Sequence, residues 1–467
     1  MPSGMAGHGG RGPIHVAAAA AVAGIFPLAI DSASGPKPFL KTNTGIPWLP
    51  NEISAWGLIQ ALPTATAKTF IDDRVAQNCN TFMISLISDD TGMAGSPPNW
   101  QGNPPFTTAG DFSTPNSTYF SHADDIIDYC ASKNAMVYLV VVYGGYFTAT
   151  GGDQGWGDEV NADTLAHIQS FGTFVGSRYA NRKNVVLMFG GDQVPGTGNG
   201  WSMESTRFNA LVDNATAAAP SLLSTAHFAG DYGIGGVNDP VPGGMLSSDF
   251  AAFESRIATG KLIDGLYSYN PSIEPYLRIR AGLAKARACP VVRIDGPYAN
   301  RSGYPTQPQG SDNELRHRAW SCQCEAAKGG SFEDITWTYQ GDLTSGSTAQ
   351  TEWTYWWQFW SAIWPKAVLL TPSAPGSTTY ITSGRGTDGT TAFVNCIASN
   401  AMLIAYMSTT SASAIDVAMG AFSASVSASW FNTRSGAYTS LGTITNSGTH
   451  TFTKPDANDW ALLLQVP

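Results

Sequence analysis

Apolar and polar positions along the chain follow two periods in turn. Short β-branched, aromatic or apolar runs recur as IPWL around Trp48, TFMISL from Thr81, MVYLVVV from Met136, VVLMF from Val185, LLSTAH from Leu222, GLYSY from Gly265, VVRI from Val291 and DITWT from Asp334. Runs of that length bounded by turn residues predict buried strands. Between them lie longer stretches whose apolar residues fall three and four apart, the period of a helix with one buried face. These are TAKTFIDDRVAQN, HADDIIDYCASK, DTLAHIQSFGTFVGSRY, STRFNALVDNATAA, DFAAFESRIA, PSIEPYLRIRAGLAKA, NELRHRAWSCQCEAAK and TEWTYWWQFWSAIW. Ser121 with Asp124, and Ser311 with Glu314, have the spacing of capping boxes and predict two helix starts.

Strand then helix, repeated about eight times over roughly 320 residues, is the pattern of an α/β fold of the (β/α)8 TIM-barrel type. It is expected over 41–365, after an N-terminal segment, 1–40, that supplies entry strands. An open doubly wound sheet is the alternative, but its glycine-rich phosphate turn after the first strand is missing. Beyond Pro365 the texture changes to Ser, Thr, Ala and Val, with alternating runs TAFVNCIA, AMLIAYM, AIDVAMG and DWALLLQV between Gly, Asn and Ser turns. That alternation predicts a small all-β sandwich over 366–467. No repeat of fixed period is present, which argues against a solenoid or propeller.

Composition narrows the function. The formal net charge is −10, with no long Lys/Arg run, so the electrostatic footprint of nucleic-acid binding is missing. Cys79, Cys130, Cys289, Cys322, Cys324 and Cys396 are scattered, without the CxxC spacing of zinc sites. No metal is expected, and no disulfide between Cys322 and Cys324, which face different ways on a helix. Residues 14–30 resemble a signal-peptide core, while Pro27 and a glycine-rich leader with one Arg count against cleavage. No other apolar run reaches the ~18 residues of a membrane span.

In a barrel of this type the active site lies at the carboxyl ends of the strands. Polar or aromatic residues there include Glu52, Tyr143, Tyr146, Asp192, Gln193, His227, Tyr269, Asn270 and Asp295. Two carboxylates occupy corresponding places, Asp192 in GGDQVP and Asp295 in RIDGPY. Either could simply cap a helix, and Asp295 could pair with Arg293 or Arg301. Two carboxylates across a cleft are also what glycoside hydrolysis needs, without metal or cofactor. Sugar rings require flat apolar faces, which Trp56, Trp100, Tyr143, Tyr146, Trp156, Tyr269, Tyr298 and Trp337 could supply.

The order of segments resembles the apiosidase-like glycoside hydrolases, whose (β/α)8 barrel precedes a small collagen-binding-type β-sandwich. The resemblance runs through FPLAIDSASGPKPFLKTNTGIPWL, AWGLIQALPTATAKTFIDDRVAQNCNTFMISL, YFSHADDIIDYCASKNAMVYLVVVYGG and SRYANRKNVVLMFGGDQVP, and ends with ASWFNTRSGAY and FTKPDANDWALLL. It implies that Asp192 is one catalytic carboxylate and that Asp295 aligns with a family Glu, a change that shortens the side chain by one methylene. Where the family has Gly-Asp-Thr before Ala-Trp, this chain reads NEISAW, so Glu52 either enters the site or caps the next turn. His227 matches a histidine that lines the pocket. Gln193 and Asn270 are expected to bond sugar hydroxyls, and Arg316 and His317 to serve packing and surface.

The expectation is thus a retaining glycoside hydrolase with Asp192 as general acid/base and Asp295 as nucleophile, acting on a complex polysaccharide such as pectic side chains. The competing expectation is a carbohydrate-binding or structural protein, of a cell surface or virion, on a hydrolase scaffold. Either would be extracellular, cell-surface or virion-associated.

Overall fold

A computed structural model of the protein describes residues 24–88, 98–145, 155–191, 203–228, 248–266, 274–285, 288–296, 298–299, 311–332 and 348–467. Strands β1 (Ala29–Asp31) and β2 (Phe39–Lys41) form an antiparallel hairpin. Eight parallel strands follow: β3 (Asn51–Ser54), β4 (Thr81–Ser85), β5 (Met136–Val140), β6 (Val185–Gly190), β7 (Leu223–His227), β8 (Asp264–Leu266), β9 (Val291–Arg293) and β10 (Gly330–Ser331). They lie in two sheets, ordered β10-β3-β4-β5-β6-β7 and β8-β9. A parallel bridge from Ser224 to Leu262 adjoins β7 to the second sheet. At its other edge the Lys328 amide donates to the Val291 carbonyl at 2.7 Å.

Side chains divide by the period of two that a pleated strand imposes. Met83, Tyr138, Val140, Val186, Met188, Val292 and Ile294 form an inner cluster. Their neighbours Phe82, Ile84, Val137, Leu139, Val185, Leu187 and Val291 pack in a second cluster with residues of the intervening helices, such as Ile126, Phe171 and Leu211. This two-sided burial explains why these strands read as near-continuous apolar runs. Leu28 and Leu40 of the entry hairpin join Met136, Val186 and Leu223 in the inner cluster. The hairpin therefore sits against the amino ends of the strands, opposite the end where the chemistry is expected.

Several expected elements shift. The first parallel strand is Asn51–Ser54, not IPWL; Pro47 and Pro50 have no amide to give a ladder. The helix expected to start after Ser121 spans Ser117–Ser132, because Asn116 caps it earlier by accepting the Thr118 amide at 3.1 Å. Ser311 does cap Asp312–Gln323, accepting the Glu314 amide at 3.3 Å. Residues 334–338, expected as the last parallel strand, lie outside the described residues, and β10 ends just before them. All six cysteines are buried and none forms a disulfide. Among the described residues no helix is long and apolar enough to cross a membrane.

The C-terminal region is antiparallel. Its strands are β11 (Thr371–Pro372), β12 (Ile381–Ser383), β13 (Asn395–Ser399), β14 (Met402–Met407), β15 (Ala414–Ala418), β16 (Val426–Asn432), β17 (Tyr438–Ile444), β18 (Thr449–Thr453) and β19 (Trp460–Gln465). They form sheets β11-β13-β14-β19-β16-β17 and β12-β15-β18, whose facing side chains, among them Cys396, Leu403, Val417, Trp430 and Phe452, share one core.

Buried charge joins this region to the parallel one. Arg316, expected to serve packing and surface, is 7% exposed and lies between Glu352 at 2.9 Å and Asp459 at 3.0 Å. His317 is also buried and bonds Glu274 at 2.7 Å. Nearby, the Trp320 ring stacks on Tyr406. Replacing Arg316 by Met leaves two carboxylates buried without their cation, and is expected to cost about 3–5 kcal/mol in urea unfolding.

Two buried groups in this region make stability depend on pH. Burial pushes the Glu352 carboxyl up to about 7 despite the pull of Arg316. The folded chain then binds more protons than the unfolded one between the ordinary carboxylate range and 7, so stability falls as pH rises through that window. Lys328, whose Nζ donates to the Val368 carbonyl at 2.9 Å, is pushed down to about 7 by burial. Here the unfolded chain binds more protons between 7 and the ordinary lysine value, and stability rises with pH there. In calorimetric Tm profiles, Glu352→Gln should flatten the fall and Lys328→Met the rise.

Candidate active site

The first parallel strand explains how polar groups enter an apolar interior. Alternation puts Ile53 and Ala55 in the strand–helix cluster and Trp56 in the inner one. Glu52 and Ser54 share the parity of Trp56, and both point to the second residue beyond β9. Glu52 is fully buried.

That residue is Asp295. On β9, Val291 belongs to the outer cluster and Val292 and Ile294 to the inner one. Strict alternation would send Asp295 outward. Its φ of +46° breaks the alternation, and Asp is among the few side chains that enter this left-handed region readily. The carboxylate consequently turns inward. Oδ1 accepts from Ser54 Oγ at 3.5 Å, and Oδ2 lies 3.2 Å from His227 Nε2. The aspartate side chain thus reaches polar groups of β3 and β7, and Asp295 is only 1% exposed.

Aromatic rings surround this group. The Trp56 Nε1 donates to the Tyr298 hydroxyl at 2.9 Å. The Trp56 ring meets Tyr143 edge-on at 5.3 Å and His227 at 4.9 Å. Edge-to-face packing and the hydrogen bond lock the indole in place. Arg293, a suggested partner for Asp295, donates to Ser331 at both its hydroxyl and its carbonyl.

The turn after β6 reaches the same place. Gly190 and Gly191 have φ of +108° and +73°. A Cβ on Gly190 would stand 2.6 Å from the His227 carbonyl oxygen, and one on Gly191 2.6 Å from Tyr143 Cδ2. Only glycine fits two consecutive positions of this kind. The chain therefore leaves β6 between Tyr143 and His227, with Asp192 next in sequence.

Of the residues expected in a site, Glu52, Trp56, Tyr143, His227, Asp295 and Tyr298 come together. Tyr146, Asp192, Gln193, Tyr269, Asn270 and Trp337 lie outside the described residues. Trp156, suggested as a sugar platform, is instead fully buried beside Phe106 and Phe112. Ser54 and Ser331 were missed. Alternation with Trp56 could have marked Ser54, whereas Ser331 sits on a two-residue strand with no periodic signal. Among the described residues, one group has metal-ligand chemistry: Asp111, Asp163 and His167. His167 Nδ1 lies 3.1 and 2.8 Å from their Oδ1 atoms. The carboxylates already accept from the amides of Ser113, Phe112 and Thr164, which gives the trio a role in holding its own turn.

No curated protein sequence matches the chain. Among solved structures, one described as a glycoside hydrolase superposes with a TM-score of 0.72 at 16% identity, covering 94% of this chain and 97% of its own. A glycoside hydrolase family 5 protein from Bacteroides vulgatus superposes with a TM-score of 0.71 at 15% identity, covering 94% and 93%. These likenesses are of fold. In sequence, residues 381–465 match the family model named "Putative collagen-binding domain of a collagenase". Residues 35–361, most of the chain, match the model named "Apiosidase-like, catalytic domain". The chain belongs to the apiosidase-like family.

Proposed function

We propose that the protein is a glycoside hydrolase that cuts a complex polysaccharide or its side chains with two carboxylates. Asp295 is the nucleophile and Asp192 the general acid/base. The eight parallel strands close as a (β/α)8 barrel over residues 41–365, and the sandwich over 366–467 is a separate domain.

The observation that carries this reading is the inward turn of Asp295. A carboxylate is aimed by Ser54 and His227 at the carboxyl ends of the strands, beside Trp56, Tyr143 and Tyr298. The paired glycines pass close to Tyr143 and His227, and Asp192 is the next residue in the sequence. In the proposed reaction, Asp295 attacks the anomeric carbon as Asp192 protonates the departing glycosidic oxygen. Water then hydrolyses the glycosyl-enzyme, with Asp192 accepting its proton. Gln193, Tyr269 and Asn270 are proposed to hold sugar hydroxyls, and Tyr146 and Trp337 to stack on rings. Polysaccharides of this kind are met outside the cell, where we place the protein.

A second reading, a glycan binder without turnover, is favoured by the 1% exposure of Asp295. A panel of pectic polysaccharides and aryl glycosides separates the two. Wild type should release sugar, and Asp192→Asn and Asp295→Asn should each lower kcat by about 10³-fold or more. Glycan binding that survives in all three proteins with no sugar released would establish the binder. For a retaining enzyme, NMR of the first product formed should show the anomeric configuration of the substrate. The opposite anomer would mean direct attack by water.

A further inference from the structure

The peptide groups of Asp295 are held as firmly as its carboxylate. Its amide donates to Glu52 Oε2 at 3.3 Å, and its carbonyl accepts from Ser331 Oγ at 3.1 Å. Glu52 and Ser331 are register partners where β3 pairs with β10, so one step of the ladder supplies both contacts. Arg293 fixes Ser331 in turn.

Two costs meet here. A left-handed backbone is less costly for aspartate than for most residues, yet it still carries strain that the surroundings must hold in place. A carboxylate buried in a strand interior gives up much of its hydration, and Glu52 is fully buried. Burial and the charge of Glu52 also push the nearby Tyr138 hydroxyl upward. Packing alone explains neither cost, since glycine at 295 and an apolar residue at 52 would remove both. What the pair does accomplish is to hold the peptides on both sides of the Asp295 Cα, and so the direction in which its side chain leaves the strand.

We infer that Glu52 and Ser331 are positioning residues that lock the left-handed turn at Asp295 and so aim its carboxylate. Glu52 then acts through Asp295, where the sequence had suggested contact with sugar. The inference rests on the reading of Asp295 as nucleophile. Side-chain placement in a working site tolerates errors of only about 0.5 Å, and a misplacement near 1 Å can cost about 10²-fold in rate. An aspartate serves only if its backbone is brought inward and kept there.

The full-length chain tests this with Glu52→Leu, Glu52→Gln and Ser331→Ala. Gln keeps an acceptor oxygen at the reach of Glu, and Leu removes it. On the aryl glycoside that wild type turns over fastest, Glu52→Leu and Ser331→Ala should lower kcat by about 10- to 100-fold with KM within about twofold, and Glu52→Gln should recover most of kcat. A second readout needs no turnover: NMR of the ¹⁵N-labelled His227 ring, which touches Asp295. Its signals should move in Glu52→Leu and Ser331→Ala and return toward wild type in Glu52→Gln. Lower Tm in the variants, with kcat of the folded protein and the His227 signals unchanged, overturns the inference. If wild type cuts no glycan, the proposed function fails, and the His227 signals still decide whether the two residues hold Asp295. If Glu52→Leu does not fold, Ser331→Ala, which removes a single oxygen, decides the matter by the same two readouts.

Discussion

A carboxylate taken out of water loses several kcal/mol of hydration unless other groups replace that water. Asp295 is 1% exposed, and the replacements are Ser54 on β3 and His227 on β7, while Glu52 and Ser331 hold its peptide groups. None of these is its neighbour in sequence. Their convergence requires β3, β7, β9 and β10 to keep fixed relative positions: β10 is hydrogen-bonded to β3, and Leu223 of β7 and Val292 of β9 share the inner cluster. The apolar interior and the polar group at its end therefore depend on one another. A slipped strand would move every second side chain to the wrong face.

The chain leaves a strand inward by two different devices. After β6, two glycines with positive φ let the backbone pass close to Tyr143 and His227, where any Cβ would collide. After β9, an aspartate adopts a positive φ itself and its side chain is the cargo. The first device works because a side chain is missing. The second needs partners on both sides of the residue to offset its strain.

The junction with the C-terminal sheets uses buried charge for another end. Arg316 bridges Glu352 and Asp459, while Asp459 also accepts from the Thr433 hydroxyl at 2.7 Å. Such groups gain little net stability over apolar packing, yet removing one member strands the rest. Their geometric demands fix how the helix Thr348–Ala367 and the start of β19 meet. The stacked rings of Trp320 and Tyr406, and of Tyr276 and Phe393, add apolar contact along the same junction.

Periodicity alone determined the alternation of strands and helices, the change of texture after Pro365 and the central strands from Thr81 to His227. Those strands are buried on both faces, so their apolar runs are long enough to read. Weakly apolar strands escaped it: β17 is exposed along most of its length, and β18 buries only Phe452 fully. Strand-end position marked Asp295, His227 and Tyr143, because the chemistry of such folds concentrates there. Tertiary structure alone decided that Asp295 points inward, since strand parity sends it outward and only its backbone conformation reverses that. It alone also made Ser331 and Glu52 partners, and gave Arg316, expected to serve packing and surface, its place as a buried bridge. Hydrogen bonds between residues hundreds of positions apart depend on register and on single dihedral angles, and neither is written in the local pattern of the chain.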